Sequence, residues 1–362
     1  MSLLNETLNC ITAADKEATQ RASKHIDNLT KPLGSLGKLE EIGVRFAGIT
    51  GQVFNKINKK NIVVMCADNG ICEEGVSSAD QIITQVMTNS IPEMKTGVGV
   101  LASFANAELT VVDIGVKGEI LNPKVINRKI KNGTANISKG QAMTREEAIK
   151  AIETGIEITD KLCSEGYELL GTGEMGIGNT STSATVIAAL LENNIDELVG
   201  LGAGLTKEQF ENKKKVLKKA LEINMPDKED VIDVLSKVGG LDIAGMCGCF
   251  LSAAKNKKPI VIDGVISCAA ALCAYILKPE AKDYMFTSHK SDEKAVNYVF
   301  NYIGLKPILD LNMRLGEGSG CPLAFNVIEA ALYMVNNMAT FGDVGISDES
   351  KDRFVDVREE KI

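Results

Sequence analysis

Histidine is scarce in this sequence, and that scarcity limits its metal chemistry. His25 and His289 are the only histidines, and Cys247 and Cys249 are the only closely spaced cysteines. Because histidine and cysteine are the usual zinc ligands, we predict neither a metal nor any other cofactor. The nine cysteines are an odd number without a secretion signal, which points to reduced thiols.

The chain also lacks a membrane span and a secretory segment. Its longest apolar stretch, residues 261–277, contains Asp263 and Gly264 and falls short of the roughly 20 residues that a bilayer requires. The first residues include acids and no basic segment followed by an apolar one. We therefore predict a cytoplasmic protein with no membrane partner.

An excess of basic residues is likewise missing. The 362 residues carry a formal net charge of −8, which argues against a nucleic-acid partner, because such a partner needs a basic face. With 44% hydrophobic residues, the chain can bury a large core and divide into a main and a smaller domain.

Short apolar and β-branched segments recur along the chain and are predicted as buried strands. They lie at 61–67, 109–115, 167–173, 197–203, 259–264 and 284–289. Helical patterns such as 145–163 and 207–223 separate them. The fold class predicted is α/β, with a parallel sheet covered by helices on both faces over residues 50–305. Residues 1–49 and 306–362 lack strand patterns and are expected to form a small helical domain together.

Glycine-rich and polar residues follow these strands, and they should share one crevice at the carboxyl ends of the strands. The segment 171–184, GTGEMGIGNTSTSA, precedes a helical pattern, so its backbone N–H groups with Asn179, Thr180 and Ser181 could hold a phosphate. An ordinary capped glycine turn is an equally good interpretation. The segment matches neither the P-loop nor the dinucleotide-binding pattern.

Glu317 lies between two glycines in the segment RLGEGSG, residues 314–320, where a helix or core has no use for a carboxylate. A partly desolvated carboxylate there could accept a proton from a nucleophile. Taken alone, a solvated loop acid is the more common situation. Arg314 could pair with it or bind an anion, and one of the lysines at 213–215 could reach the crevice.

Several motifs together resemble one family. TKPLGSLGKLE at 30–40, ADNG at 67–70, GEMGIGNTSTSA, GGLDIAGM at 239–246, DGVISCAAAL at 263–272 and LDLNMRLGEGSG occur in the order of the nicotinate-nucleotide:dimethylbenzimidazole phosphoribosyltransferase family. The resemblance implies a Rossmann-like domain with a small helical domain, a homodimer or a heterodimer with a homologous chain, and Glu317 as catalytic base. The substrates implied are nicotinate mononucleotide and an aromatic acceptor base. The substrate-binding residues implied are Glu174, Gly176, Gly178, Asn179, Thr180, Ser181, Gly202, Gly204, Lys213, Asp263, Ser288, Arg314, Leu315 and Gly316.

The acceptor region departs from the family pattern. The acceptor pocket predicted by the resemblance comprises Ser78, Gln81, Gln85, Val86 and Met87, and Val86 stands where the family has the glutamine that meets the acceptor's second nitrogen. A pocket without that hydrogen bond loses a reason to prefer benzimidazole. A broader acceptor range, including phenol, is therefore our hypothesis.

Two other functions remain as alternatives. A non-catalytic subunit that supports a homologous active partner is disfavoured by the intact RLGEGSG segment. A dinucleotide-binding oxidoreductase is disfavoured because no loop has the required glycine spacing with an acid about 20 residues further on.

Overall fold

The sheet is parallel throughout and is built from six strands. The computed structural model describes residues 2–200, 204–346 and 356–358. The strands are β1 (Lys60–Ala67), β2 (Glu108–Gly115), β3 (Ile126–Asn127), β4 (Leu169–Met175), β5 (Ile260–Ile262) and β6 (Met285–Thr287). Their order is β3-β2-β1-β4-β5-β6, so the chain builds outward from β1 and then returns to its other side. This doubly wound arrangement confirms the predicted α/β fold.

Fourteen α-helices surround the sheet in the described part of the chain. They are α1 (Leu3–Cys10), α2 (Lys16–Asp27), α3 (Lys38–Thr50), α4 (Ile82–Ser90), α5 (Gly97–Phe104), α6 (Arg145–Ser164), α7 (Asn179–Leu191), α8 (Ile195–Leu198), α9 (Lys207–Asn224), α10 (Val231–Val238), α11 (Leu241–Lys255), α12 (Val265–Leu277), α13 (Ala295–Ile303) and α14 (Gly320–Asn337). Single 3-10 turns lie at Gly70–Glu74, Ile91–Glu93 and Pro279–Tyr284. The helices predicted at 145–163 and 207–223 are α6 and α9, and each begins with a capping box that satisfies its first N–H groups.

Alternation along β1 explains why helices cover both faces. Met65 lies beneath Gly245 of α11, whereas Ile62 lies beside Gly318, just before α14. Residues of odd and even number in a strand point to opposite faces. All eight residues of β1 are buried, as a central parallel strand requires.

Helices from the two ends of the chain contact each other. Ile26 and Leu29 form a small apolar cluster with Val335 of α14, and His25 contacts the Val335 carbonyl through Nε2 at 3.0 Å. The helix α14 also packs on β4 and β5, and α1 packs on α6 and α11. The division into a large domain and a small domain stays a prediction.

One predicted strand is wrong. In the segment 197–203, Glu197 and Leu198 end the short helix α8, and Val199 and Gly200 belong to no strand. Asn194 caps α8 by accepting the N–H of Asp196, which favours a helical turn over extended backbone. Residues 201–203 lie outside the described residues. No helix in the described ranges is both long enough and apolar enough to cross a bilayer.

Candidate active site

A crevice of about 290 Å³ opens at the carboxyl ends of the strands. It lies where the strand order reverses between β1 and β4, which is the usual ligand position in open α/β sheets. Its walls come from segments that follow β1, β4, β5 and β6 and from the loop at 314–317. Of the loops expected to share one crevice, those after β4, β5 and β6 line it, whereas residues 68–70 and 113–115 do not, and residues 201–203 lie outside the described residues.

Glu317 forms part of the crevice wall and is almost completely buried. Its Oε2 accepts the backbone N–H of Val98, in the first turn of α5, at 3.0 Å. Gly316, Glu317 and Gly318 all have positive φ, of 84°, 62° and 92°. A glutamate costs about 1 kcal/mol or more in this left-handed region, and such strain clusters at functional sites.

Two other carboxylates fix the loop that carries Glu317. Glu174, in β4, accepts the N–H of Glu317 through Oε1 at 3.1 Å. Asp263, just after β5, accepts the N–H of Gly318 at 3.1 Å and that of Gly320 at 2.8 Å. Gly316 cannot carry a side chain here, because a Cβ would lie 2.5 Å from Oε1 of Glu174. The loop conformation is thus set by hydrogen bonds from two neighbouring strands.

Asn179 joins Glu174 to a third buried carboxylate, Asp242 at the start of α11. Its Nδ2 donates to Oε2 of Glu174 and, at 3.1 Å, to Oδ2 of Asp242. Burial, together with the nearby charges of Asp263 and Glu317, raises the pKa of Glu174 to about 7. Burial likewise raises the pKa values of Asp242 and Asp263 to about 7. These three groups therefore titrate near neutral pH.

Two helices begin at the crevice, close to these carboxylates. Gly178, Asn179 and Thr180 at the start of α7, and Gly264 and Val265 at the start of α12, all line the cavity. Helix N-termini present unpaired N–H groups and a positive dipole end, so an anion is stabilised here.

Lys213 contacts the start of α7 next to the crevice. It is fully buried, and its Nζ donates to Oγ1 of Thr180 at 3.1 Å. Burial lowers the pKa of Lys213 to about 8. Lys214 instead pairs with Glu211 at the surface, and Lys215 is exposed. Of the three consecutive lysines, Lys213 is the one directed toward the crevice.

Of the remaining residues predicted to bind the nucleotide, some line the crevice and others do not. Gly176, Arg314, Leu315 and Gly316 line the crevice. Asp263, Ser181, Ser288 and Gly204 do not, and Gly202 lies outside the described residues. Ser181 is buried within α7, and the Ser288 hydroxyl lies 3.0 Å from Nδ1 of His289. Arg314 pairs with Asp292 at 3.0 Å.

The crevice lining also contains a group of apolar side chains, called here the apolar wall. It consists of Val76, Ile83 and Met87 together with Met175 and Leu315.

Of the five residues predicted for the acceptor pocket, Met87 alone lines the crevice, and Ser77 does so in place of Ser78. Gln81 donates to the Asn69 carbonyl and accepts from Lys117, while Gln85 donates to the Glu119 carbonyl. Val86 is 54% exposed on the outer side of α4. Both glutamine side chains are thus engaged outside the cavity.

Sequence reasoning missed several contributors. The Val98 N–H lies 219 residues from Glu317, and no motif marks it. Neither Asp242 nor His289 is among the predicted site residues, yet Asp242 bonds Asn179 and His289 lines the crevice. Burial lowers the pKa of His289, so the ring is neutral at pH 7. Within residues 2–200, 204–346 and 356–358, no three His, Cys, Asp or Glu side chains are grouped to hold a metal.

The fold and this crevice define a doubly wound α/β protein whose crevice combines two helix starts, an apolar wall and a buried carboxylate. A family model described as Phosphoribosyltransferase matches residues 11–346. The nicotinate-nucleotide–dimethylbenzimidazole phosphoribosyltransferase of Clostridium tetani is 56% identical over 359 residues, covering 99% of each chain. That of Ruminiclostridium cellulolyticum is 53% identical, covering 94% of this chain and 97% of its own.

Solved structures agree with these matches. The crystal structure of the corresponding enzyme from Thermus thermophilus superposes with a TM-score of 0.87 at 36% identity, covering 92% of this chain and 99% of that one. The chain belongs to the nicotinate-nucleotide–dimethylbenzimidazole phosphoribosyltransferase family, and the resemblance stated from its motifs is confirmed.

Proposed function

We propose that the chain transfers the phosphoribosyl group of nicotinate mononucleotide to dimethylbenzimidazole or a related acceptor such as phenol. The products are nicotinate and an α-riboside phosphate for the nucleotide loop of a cobamide. The observation that carries the proposal is the buried Glu317 carboxylate, held by the Val98 N–H in a crevice that also contains two helix starts and an apolar wall.

Two parts of the crevice lining suit the two substrates. The nucleotide phosphate would lie against the first turns of α7 and α12. Lys213, which donates a hydrogen bond to Thr180, would add positive charge nearby. The aromatic acceptor would pack on Ile83, Met87 and Leu315. This arrangement brings C1′ of the ribose close to Glu317 and leaves the acceptor on the opposite side of the ring from nicotinate.

The transfer follows from this arrangement. An acceptor nitrogen or oxygen forms the new bond to C1′ as the bond to the nicotinate ring nitrogen breaks. The bonding electron pair returns to that nitrogen and removes the positive charge of the pyridinium. The acceptor N–H or O–H proton passes to Glu317. Attack from the opposite face converts a β-linkage into an α-linkage, and holding both substrates in line lowers the barrier by proximity.

The acceptor range follows from the wall that receives it. Within the described residues the wall is apolar apart from Ser77, and neither Gln81 nor Gln85 is turned toward it. Such a wall recognises an aromatic ring by shape and offers little to a second ring nitrogen. We therefore extend the proposal to benzimidazoles and phenols, with the enzyme acting in the cytoplasm.

Glu317→Gln tests the base. Nicotinate release from nicotinate mononucleotide should fall by roughly 10²- to 10⁴-fold in kcat with either acceptor, because glutamine cannot take the proton. The KM for the nucleotide and the thermal midpoint should change little. Asp310→Asn is the control, because Asp310 is exposed in the same connecting segment and outside the crevice. Unchanged turnover in the glutamine variant would remove the assignment.

The acceptor panel separates the remaining alternatives. Wild-type protein incubated with dimethylbenzimidazole or phenol should release nicotinate with both. Exclusive use of dimethylbenzimidazole would restrict the acceptor proposal and leave the reaction intact. A non-catalytic subunit would release nicotinate with neither acceptor until a homologous partner chain was added.

A further inference from the structure

A second cavity, of about 540 Å³, lies away from the crevice. It is bounded by the start of α2, by α3, by the turn Pro279–Tyr284 and by residues 304–306. It shares no lining residue with the crevice. We propose that this second cavity is a binding site for a small anion that carries a phosphate group.

The lining of the second cavity is positively charged, whereas the chain as a whole is negatively charged. Its lining contains four cationic side chains and two carboxylates, which leave a net charge of +2 in a protein of net charge −8. These residues are Lys16, Arg45, Lys282, Lys306, Glu41 and Asp283. A ligand with about two negative charges would neutralise this surplus, and a phosphate group carries that charge near pH 7.

Arg45 is fixed in position and is incompletely compensated. Its Nη2 donates to the carbonyl of Met285 and, at 3.4 Å, to that of Lys282, and its guanidinium carbon lies 4.8 Å from the centroid of the Phe286 ring. Among the described residues, Nε and Nη1 have no partner. Burial lowers the pKa of Arg45 although Asp283 and Glu41 are near, so the two carboxylates do not fully replace its hydration.

This geometry favours a phosphate over other anions. A guanidinium held over an aromatic ring presents its remaining N–H groups as a rigid fork, which matches two oxygens of one phosphate. Lys16, Lys282 and Lys306 add point charges around it and form no ion pair with Glu41 or Asp283. Part of the Asp283 carboxylate is already used, because its Oδ2 accepts the N–H of Ala14 at 3.1 Å.

The second cavity is distinct from the proposed nucleotide site. Arg45 bonds the first residue of β6, whereas Ser288 and His289 follow the last residue of that strand. The two cavities thus lie toward opposite ends of β6. An anion here would be a separate ligand and not the phosphate of a nucleotide bound in the crevice.

Phosphate binding to the intact protein tests the proposal. The probe is inorganic phosphate, measured by equilibrium dialysis with wild type and with Lys282→Ala/Lys306→Ala. Because the crevice contributes equally to both proteins, the difference between them reports the second cavity alone. We expect this component to weaken at least tenfold in the variant, and a wild-type crystal soaked in phosphate should show the anion at Arg45.

Lys161→Ala/Lys219→Ala is the matched control, because it removes the same charge from the exposed faces of α6 and α9. It should bind phosphate as wild type does. Equal binding by the two double variants, or soaked crystals without an anion at Arg45, would overturn the proposal. Loss of phosphate binding in the crevice alone would count against the proposed function and not against this second site.

Discussion

Three buried carboxyl groups beside the crevice make the stability of the unliganded protein depend on pH. Glu174, Asp242 and Asp263 have pKa values of about 7, and burial is the main cause in each case. In the unfolded chain such groups titrate near pH 4. Between roughly pH 4 and 7 the folded state therefore binds more protons than the unfolded state does. Each group accordingly lowers stability as the pH rises through this interval.

Asp242→Asn isolates one of these groups. Asparagine can still accept the N–H of Ile243, which Asp242 accepts at 3.0 Å, but it carries no charge at any pH. Relative to wild type, we expect the free energy of unfolding of the variant to rise by about 1–3 kcal/mol between pH 5 and pH 8. Urea denaturation at both pH values measures this difference. Parallel pH dependence of the two proteins would show that Asp242 is already ionised at pH 5.

The helix α4 separates two kinds of apolar residue. Ile83 and Met87, four positions apart, share one face and line the crevice, whereas Ile82 and Val86 share a neighbouring, more exposed face. The family's glutamine position, Val86, therefore lies on the outer face of this helix. Acceptor recognition is expected to depend on the inner pair.

Met87→Ala should raise the KM for the aromatic acceptor roughly tenfold, because an acceptor ring would lose an apolar contact worth about 1.4 kcal/mol. The KM for nicotinate mononucleotide should stay within twofold. Val86→Ala on the more exposed face is the control and should leave both constants unchanged. Initial rates of nicotinate release at varied acceptor concentration supply these values, and equal effects of the two substitutions would exclude the inner face as the acceptor wall.

The local sequence pattern predicts most of the strands and helices. It fails where contacts between residues distant in the chain determine the secondary structure. The two-residue strand β3 exists only because Ile126 and Asn127 pair with Val112 and Asp113, which no short-range pattern announces. The segment 197–203 has strand composition, yet the Asn194 cap begins a helix before it.

The same limit applies to the crevice. Glycine spacing located Glu317 and the start of α7, but side-chain direction depends on partners distant in the chain. Gln85 illustrates this, because the Glu119 carbonyl holds it outside the cavity.

The order of the strands explains why one chain can hold two substrates in line. Growth from β1 through β2 to β3, followed by return to β4 on the other side, opens the gap at the reversal. The loop of Glu317 belongs to the C-terminal part of the chain and lies in this gap. Glu174 of β4 and Asp263 after β5 fix it there by accepting its backbone N–H groups. The loop of Glu317 is thus held by the sheet and continues directly into α14, which packs on α3 from the other end of the chain.

The last prediction concerns assembly. The helices α4 and α5 and the segment after β2 expose large apolar side chains, among them Val86, Val100, Phe104 and Leu121, with Phe104 71% exposed. Exposed groups of this kind mark interaction surfaces, and a second copy of the chain is the partner that the family resemblance implies. We expect light scattering after size exclusion to give twice the monomer mass for wild type and the monomer mass for Phe104→Asp.

Tyr333→Asp provides the comparison for that experiment. Tyr333 is 72% exposed on α14, so its replacement adds the same charge at a similarly open position away from α4 and α5. It should remain dimeric, and both variants should keep the wild-type thermal midpoint within a few degrees at a protein concentration low enough to dissociate the dimer. A monomeric wild type would remove the homodimer and leave association with a homologous chain as the remaining form of assembly. A Phe104→Asp protein that stays dimeric would instead place the interface on another face.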